Sequence, residues 1–420
     1  MISLQRARLV TLVALVALLA TACTSTDPPP ARAIRFVHTF SPAETAALDE
    51  LLTTTHLAVE ATLLPFARGE AVLGQAMRRS HDCPDLARID ATWLPALAGD
   101  GLLAAPPAAL AARDWLPEAR ALASHAGALA AAPMSTDGLV LLHRDPPPQP
   151  WPAAWPPRDL DALVAAGRAL TTAGRWGLGL RVDGYWLVPF LRARGADVAD
   201  GVHGTLGIDG PAAEAALAEL AALMQPGGPA APPAAPGTEA ETEARRFRDG
   251  AIAILATGPW ALPELADLRS GELVGVAVAA WPGAPRGGQL LVVPRCARDP
   301  DGAWQLAAAL TGPDVQATWS RRLGMVPTTA AGLARAGKLA RQVHAALAGA
   351  APLPRHPASA ALFDDLNPAV AAVVAGDASA AEALAGVRRA WSRLLSPAPQ
   401  RPPQPRTVHP ARAPARRGAP

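Results

Sequence analysis

The order of apolar and polar residues at the start of the chain is that of an export signal. Residues 9–20 are apolar apart from one threonine, and Arg6 and Arg8 precede them. A basic start, a short apolar core and small residues before the cleavage point are what the export machinery reads. A transmembrane helix needs about 20 apolar residues, so this run is too short to span a bilayer stably. The pattern predicts a signal peptide over residues 1–22 and an extracytoplasmic protein.

Between residues 34 and 93, short runs with a period of two alternate with longer runs that have helical spacing. The predicted strands cover residues 34–38, 57–64 and 85–90, and the predicted helices cover residues 42–53 and 68–77. Ser41, Pro42 and Glu44 form a capping box at the start of the first helix. This alternation indicates a parallel sheet with helices on its faces. Such sheets bind ligands at the carboxyl ends of their strands.

A second region of mixed strands and helices begins near residue 138. Apolar strands are predicted at residues 139–143, 274–278 and 290–294, with a helix at residues 160–170. From residue 299 to residue 395 the pattern is almost entirely helical. The predicted fold class is therefore α/β, with two regions of ordinary domain size.

Charge adds little to this picture. The 420 residues carry a formal net charge of +2, and Lys338 is the only lysine. The basic excess lies at the ends, and residues 396–420 contain five arginines, many prolines and no acidic residue. This tail buries too little apolar surface to offset its ordering entropy, which predicts disorder. We expect no nucleic-acid partner.

No catalytic or metal-binding motif is present in the sequence. It contains no Cys-x-x-Cys, no His-Glu-x-x-His, no Gly-x-Ser-x-Gly and no phosphate-binding glycine loop. The adjacent carboxylates Asp364 and Asp365 fall in a helical region, where a solvated face or a helix cap explains them. We therefore expect no metal, no cofactor and no enzymatic activity.

Residues 20–23, Ala-Thr-Ala-Cys, resemble a bacterial lipobox, in which the cysteine is lipidated and becomes the mature N-terminus. A leucine is usual where this chain has Ala20. Cys23 is the predicted lipidation site, and residues 23–33 are the predicted polar, proline-stiffened linker. The alternative is an ordinary cleaved signal with a coincidental cysteine.

Six segments, in order, resemble the family 1 extracellular solute-binding proteins, which include the maltose- and trehalose-binding receptors of ABC importers. They are residues 36–41, 83–93, 101–103, 136–145, 247–260 and 303–328. The most diagnostic segment is residues 247–260, with Phe-Arg-Asp-Gly at its start and Thr-Gly-Pro-Trp at its end. Two departures concern the pocket: Gln289 stands where relatives often carry tryptophan, and residues 226–236 and 282–288 look irregular or shortened.

The resemblance implies a two-lobe fold of the periplasmic-binding-protein type II class, with discontinuous lobes joined by a hinge. The implied lobes are residues 34–138 with 270–348, and residues 139–269 with 349–395. The implied function is capture of a mono- to oligosaccharide in the interlobe cleft by a lipid-anchored monomer, which delivers it to importer permease subunits. A receptor for a non-sugar solute, a sensory receptor and a lipid-anchored carbohydrate hydrolase are the alternatives.

Sugars present hydroxyl edges and apolar faces, so a sugar site needs flat aromatic rings together with charged or amide groups. Trp260 follows Gly-Pro at a strand end, which favours a ring that stacks on a sugar. Asp137 lies where the family places an acidic sugar ligand, although a hinge turn also explains it; Asp90 is either a ligand or a helix cap. The predicted ligand-binding residues are Trp260, Asp137, Tyr185, Trp186, Trp93, Thr92, Asp90, His38 and Thr39. Core packing is the alternative for the aromatic residues other than Trp260.

Two cysteines remain once Cys23 is assigned to the lipid. In an oxidising compartment, a disulfide is favoured over two free thiols. The lobe topology implied by the family places the strand that ends at Pro294 antiparallel to the strand that begins at Asp85. Cys83 and Cys296 would then be neighbours. Pairing and free thiols both stay open at this point.

Overall fold

The computed structural model describes residues 33–79, 82–147, 150–152, 155–199, 207–267 and 272–395. The predicted signal peptide, Cys23 and the tail over residues 396–420 lie outside these residues, as does all but residue 33 of the predicted linker. The strands are β1 (Ile34–His38), β2 (Val59–Leu63), β3 (Leu86–Asp90), β4 (Ser124–His125), β5 (Ala128–Leu129), β6 (Ala132–Gly138), β7 (Val140–Arg144), β8 (Trp176–Gly179), β9 (Ile252–Thr257), β10 (Val276–Ala280), β11 (Pro285–Val292) and β12 (Ala351–Pro352).

The described helices fall between and after these strands. They are α1 (Pro42–Thr54), α2 (Gly69–Arg79), α3 (Leu94–Gly99), α4 (Ala108–Ala111), α5 (Pro117–Leu122), α6 (Leu160–Leu170), α7 (Gly184–Ala193), α8 (Pro211–Leu223), α9 (Glu239–Arg248), α10 (Leu262–Leu265), α11 (Pro300–Leu310), α12 (Pro313–Leu323), α13 (Ala330–Ala334), α14 (Lys338–Ala346), α15 (Ser359–Ala375) and α16 (Ala380–Leu395). The predicted capping box is present at α1, where Ser41 and Glu44 exchange hydrogen bonds with each other's backbone N–H. Within the described residues, none of the helices is sufficiently long and apolar to cross a membrane.

The first sheet has β11 at its centre. β3, β1 and β2 follow β11 on one side, and β6 pairs along its other side. β1 is parallel to β2 and β3, whereas β11 runs antiparallel to β3 and β6. The side chains of Phe36, Leu86, Ile89 and Leu291 are buried in one core against the surrounding helices. This sheet forms the framework of the first lobe.

The second sheet has the order β10-β7-β9-β8. Alternation along residues 139–142 sends successive side chains to opposite faces, as the period of a strand requires. Leu139 and Leu141 pack in the core that includes Trp186 and Leu187 of α7, and Val140 and Leu142 pack in a separate core on the other face. The second lobe is therefore a sheet covered by apolar side chains on both faces.

The connection between the two lobes after β6 is very short. After β6, only Leu139 separates the first sheet from β7 of the second. Gly138 adopts φ +155°, and a Cβ at this position would overlap the carbonyl oxygen of Pro285 at the start of β11. Only glycine fits this contact without strain, because it lacks Cβ and tolerates positive φ. Two of the interlobe crossings thus touch at Gly138.

The implied lobe boundaries need a correction. Residues 270–348 were assigned to the first lobe, but β10 pairs with β7 of the second sheet. Helix α14 also packs on this sheet, because its buried residues Leu339 and Val343 share a core with Val140. The return to the first sheet begins only at Pro285.

A disulfide joins Cys83, just before β3, to Cys296, just after β11. Their Cα atoms are 6.0 Å apart. The antiparallel register that pairs Ala87 with Val292 brings the start of one strand next to the end of the other. The structure thus contains the pairing that the sequence left open.

Candidate functional site

A cavity of about 760 Å³ lies between the two lobes. The first lobe contributes strand ends and loops, the second lobe contributes the start of α7, the turn after β9 and part of α15, and β11 lines the region between them. The side chains that line it include Thr39, Phe66, Glu70, Arg88, Asp90, Thr92, Trp93, Asp137, Arg181, Asp183, Tyr185, Trp186, Trp260, Arg286, Gln289, Arg355, Phe363 and Asp364. The volume is in the range of small-molecule sites.

Asp90, Asp137 and Gln289 form the polar floor of the cavity. In the first sheet, Gln289 on β11 lies opposite Asp90 on β3, while Gly287 lies opposite Asp137 on β6. The Gln289 Nε2 group donates to Asp90 Oδ2 and to Asp137 Oδ2, each at 3.2 Å. One amide therefore holds two carboxylates side by side.

The electrostatics of this floor are unusual. Burial, together with the neighbouring Asp90 charge, raises the pKa of Asp137 to about 7, although the Gln289 hydrogen bond and the Arg88 charge act in the opposite direction. Burial likewise raises the pKa of Asp90, although hydrogen bonds from Thr92 and Gln289 oppose the change. Two desolvated carboxylates this close together each disfavour ionisation of the other.

Asp90 also caps the turn that follows β3. It accepts hydrogen bonds from the Thr92 backbone N–H at 2.8 Å and from the Thr92 hydroxyl at 2.6 Å. The two readings predicted for Asp90 are compatible, because its Oδ1 caps the turn while its Oδ2 faces Gln289. Thr92 thereby positions Asp90 at the cavity.

Tyr185 extends from the second lobe toward the same floor. A Cβ on Gly287 would lie 2.7 Å from Asp137 Oδ1 and 3.5 Å from the Tyr185 hydroxyl oxygen, so both groups surround this glycine. Burial, followed by the charges of Asp137 and Asp90, raises the pKa of Tyr185 well above its usual range. The Asp183 side chain caps α7 and accepts from the Tyr185 backbone N–H at 2.7 Å. Tyr185 therefore faces the cavity as a neutral phenol.

Trp260 is the exposed aromatic platform of the second lobe. It lies in a short 3₁₀ turn after β9, and 37% of its surface remains exposed. Its ring packs edge-on against Trp186, with centroids 6.3 Å apart. Trp186 itself is buried and donates its indole N–H to the Ala256 carbonyl at 2.7 Å. Trp186 therefore supports the ring of Trp260, which lines the cavity.

Phe66 is a lining residue that the sequence analysis did not single out. It follows β2, is 58% exposed, and lies 5.4 Å from the ring of Trp93 between centroids. Trp93 is mostly buried in the first-lobe core, although its edge reaches the cavity. The position of Phe66 at the carboxyl end of a predicted strand was the signal that could have identified it.

His38, predicted as a ligand-binding residue, lies outside the cavity. His38 is buried, accepts a hydrogen bond from the Phe40 backbone N–H at Nδ1, and does not line the cavity. Burial lowers its pKa, and the Arg88 charge acts in the same direction, so the ring is a neutral core residue. The side chain of a strand's last residue points to one face only, and here that face is the core. Thr39, the next residue, does line the cavity.

Most arginines that line the cavity have partners within the protein. Arg88 forms a buried salt bridge with Glu44 at 3.1 Å and donates to the Thr39 hydroxyl at 2.8 Å. Arg181 makes a two-pronged bond to Glu243 at 2.7 and 3.1 Å. Arg286 and Arg355 donate to backbone carbonyls. These guanidinium groups are fixed in place before any ligand arrives.

Within the described residues, no group of three or more His, Cys, Asp or Glu side chains could hold a metal ion. The groups that line the cavity are carboxylates, guanidinium groups, hydroxyls, two amides, one phenol and aromatic rings, which suit a polar organic solute with apolar faces.

Comparison with known proteins identifies the family. Residues 70–346 match the family model described as bacterial extracellular solute-binding protein, which covers more than half of the chain. The chain belongs to this family. The family resemblance predicted from the sequence is thus confirmed, and it implies a location outside the cytoplasm. The family comprises solute-binding proteins rather than enzymes, so the hydrolase alternative is set aside.

Solved structures of solute-binding proteins share the fold. The GacH receptor of Streptomyces glaucescens, solved unliganded and with acarbose, is 25% identical and has a TM-score of 0.74, with 86% of this chain and 98% of that chain covered. The maltotriose-binding protein of Thermus thermophilus is 21% identical, with a TM-score of 0.71 and coverages of 85% and 99%. UgpB of Mycobacterium tuberculosis, bound to glycerophosphocholine, is 18% identical, with a TM-score of 0.67 and coverages of 87% and 98%. Among curated proteins, the search found no match. The type II two-lobe fold class is confirmed.

Proposed function

We propose that this solute-binding protein captures a mono- to oligosaccharide between its lobes and delivers it to the permease subunits of an ABC importer. The observation that carries the proposal is the pairing of exposed aromatic rings with polar groups in one interlobe cavity. Trp260 belongs to the second lobe, Phe66 to the first, and the floor of Asp90, Asp137 and Gln289 lies in the first sheet. Rings match the apolar faces of a sugar, and carboxylates match its hydroxyl groups.

The relatives support a sugar as the ligand. GacH was solved with acarbose, and the Thermus protein with maltotriose. The glycerophosphocholine complex of UgpB shows that the fold also holds a solute that is not a sugar, so the ligand of this chain needs a direct test.

The test is a thermal-shift screen of the mature protein against neutral and charged sugars, followed by calorimetric titration of each hit. Replacing Trp260 with alanine should weaken binding at least tenfold, because stacking contributes on the order of 1 kcal/mol beyond the buried area. The melting temperature without ligand should change little, since the ring is partly exposed.

Trp151→Ala is the matched control. Trp151 is also a partly buried tryptophan of the second lobe, but it stacks on Trp155 at 4.4 Å and does not line the cavity. This variant should bind as tightly as wild type. Unchanged affinity in Trp260→Ala, or equal loss in both variants, would remove Trp260 from the site.

We further propose that the monomeric protein is held at the membrane by a lipid on Cys23, in keeping with the lipobox-like residues 20–23. Metabolic labelling with a fatty-acid analogue should mark the wild type and leave Cys23→Ser unmarked. Equal labelling of the two proteins would contradict the proposed lipid on Cys23.

A further inference from the structure

Six carboxylates and five arginines line the cavity, and the two carboxylates of the floor, Asp90 and Asp137, form no salt bridge with any of these arginines. Glu70, Asp90, Asp137, Asp183 and Asp364 all line it, and none of them forms a salt bridge with another described residue. The acidic side chains come from both lobes. Glu70 begins α2 of the first lobe, and Asp364 lies on α15 of the second.

The arginine that acts on the floor is already engaged. The Arg88 charge acts on both Asp90 and Asp137, but its guanidinium is held by Glu44 and Thr39. Glu44 adds a further negative charge that acts on Asp137. The floor is therefore an acidic site whose nearest cationic neighbour is shared with another carboxylate.

A second observation points to a ligand at the same place. The Gln289 Nε2 group donates hydrogen bonds to both carboxylates. Its Oε1 atom is buried without any hydrogen-bond partner among the described residues. The residue is only 9% exposed and lines the cavity. A buried amide oxygen without a donor is unfavourable, so the protein gains when a donor reaches it.

We infer that the natural ligand is a sugar that carries a protonated amine, and that this nitrogen lies against Asp90 and Asp137. An ammonium group has several N–H donors and one positive charge. It would supply donors to the two carboxylates and, after a small rotation of the amide, to Gln289 Oε1. A neutral sugar hydroxyl supplies a donor but leaves the acidic pair without a counter-ion. This inference rests on the proposed function, since it specifies the class of sugar.

The test uses matched probes that differ in the amine. Deacetylated chito-oligosaccharides are compared with their N-acetylated forms, and glucosamine is compared with glucose. Calorimetry at pH 7 should give at least tenfold tighter binding for one amine-bearing probe than for its neutral partner. In Asp137→Asn and in Asp90→Asn this preference should fall to less than threefold, whereas Asp249→Asn, an exposed aspartate of the second lobe, should retain it.

A pH series gives an independent readout. Affinity for the amine-bearing probe should pass through a maximum as pH rises, because the aspartates must lose a proton while the amine must keep one, and affinity for any neutral probe should change much less. The groups that act on Asp137 are Asp90, the Gln289 amide, Arg88 and Glu44.

The outcomes separate the two claims. If only neutral sugars bind tightly, the proposed function stands, and the inference that the ligand carries a protonated amine is overturned. Absence of binding by every probe in both series, together with no hit in the sugar screen, overturns both. The preference for the amine could also survive in Asp137→Asn and Asp90→Asn while both variants are folded. The nitrogen would then lie elsewhere, and the inference would be overturned.

Discussion

At the scale of single residues, the site combines groups that are costly to the folded protein. Asp137 is 8% exposed and has a carboxylate neighbour within reach of the same amide. Burial of such a group without a counter-ion lowers stability whenever the group is charged. A ligand that supplies donors recovers part of that free energy.

Stability should therefore depend on pH through Asp137. Its pKa rises from an ordinary 3.8 to about 7 in the folded protein. Between these values the folded state holds a proton that the unfolded chain has lost, so the free energy of unfolding falls as pH rises from about 4 to about 7. Asp137→Asn should flatten this slope and stabilise the ligand-free protein by roughly 1–4 kcal/mol at pH 7.5.

Chemical denaturation at several pH values measures the effect, and Asp249→Asn serves as the exposed control. A variant of Asp137 that keeps the wild-type slope, or that is less stable than wild type at pH 7.5, would show that the carboxylate is not strained by its site.

Gly258 provides a second test at this scale. Its backbone, at φ −114° and ψ 179°, suits any residue, but a Cβ would overlap the ring of Trp260. Gly258→Ala should displace that ring and weaken sugar binding about as much as Trp260→Ala, with little change in melting temperature. Gly174→Ala, where a Cβ meets open space, is the matched control. Full affinity in Gly258→Ala would show that the position of the Trp260 ring is unimportant.

At the scale of elements, the sequence was most informative where a short pattern determines the structure. The capping box placed the start of α1 at Pro42, and the helix at residues 160–170 matches α6. Periodicity was less successful where side chains are buried on both faces. The predicted strands at residues 274–278 and 290–294 are displaced from β10 and β11, because continuous apolar residues do not fix where a strand begins.

The candidate site could be predicted only in part for the same reason. Trp260 and Asp137 were identified because they lie at a strand end and at the crossover, and Tyr185 because a sugar site needs aromatic rings. His38 was misplaced, because a strand end identifies the position and leaves open which face a side chain occupies. Gln289 was noticed only as a departure, since its role depends on two partners that are 199 and 152 residues away in sequence.

The disulfide between Cys83 and Cys296 links two elements of the first sheet. It closes a loop with a sequence separation of 213, so its loss should lower the free energy of unfolding by about 2–4 kcal/mol. Urea denaturation of the Cys83→Ser, Cys296→Ser double variant tests this. Ligand affinity should be unchanged, because neither cysteine lines the cavity. Free thiols in the unreduced protein, or unaltered stability of the double variant, would contradict the assignment.

At the scale of the whole molecule, the three connections between the lobes pack against one another. Arg192 of α7 donates to the carbonyls of Ala284 and Pro352, which belong to two different crossings between the lobes. Gly138 of the third crossing touches Pro285. The three connections thus form one packed hinge, around which the lobes can move over a solute.

The central claim is that both lobes hold one solute between them. The most direct measurement is a crystal structure of the mature protein with the tightest ligand from the sugar screen. We expect electron density in the interlobe cavity, with one ring of the ligand on Trp260 and a polar group on Asp137 or Asp90. A ligand bound outside the cavity, or in contact with one lobe alone, would contradict it.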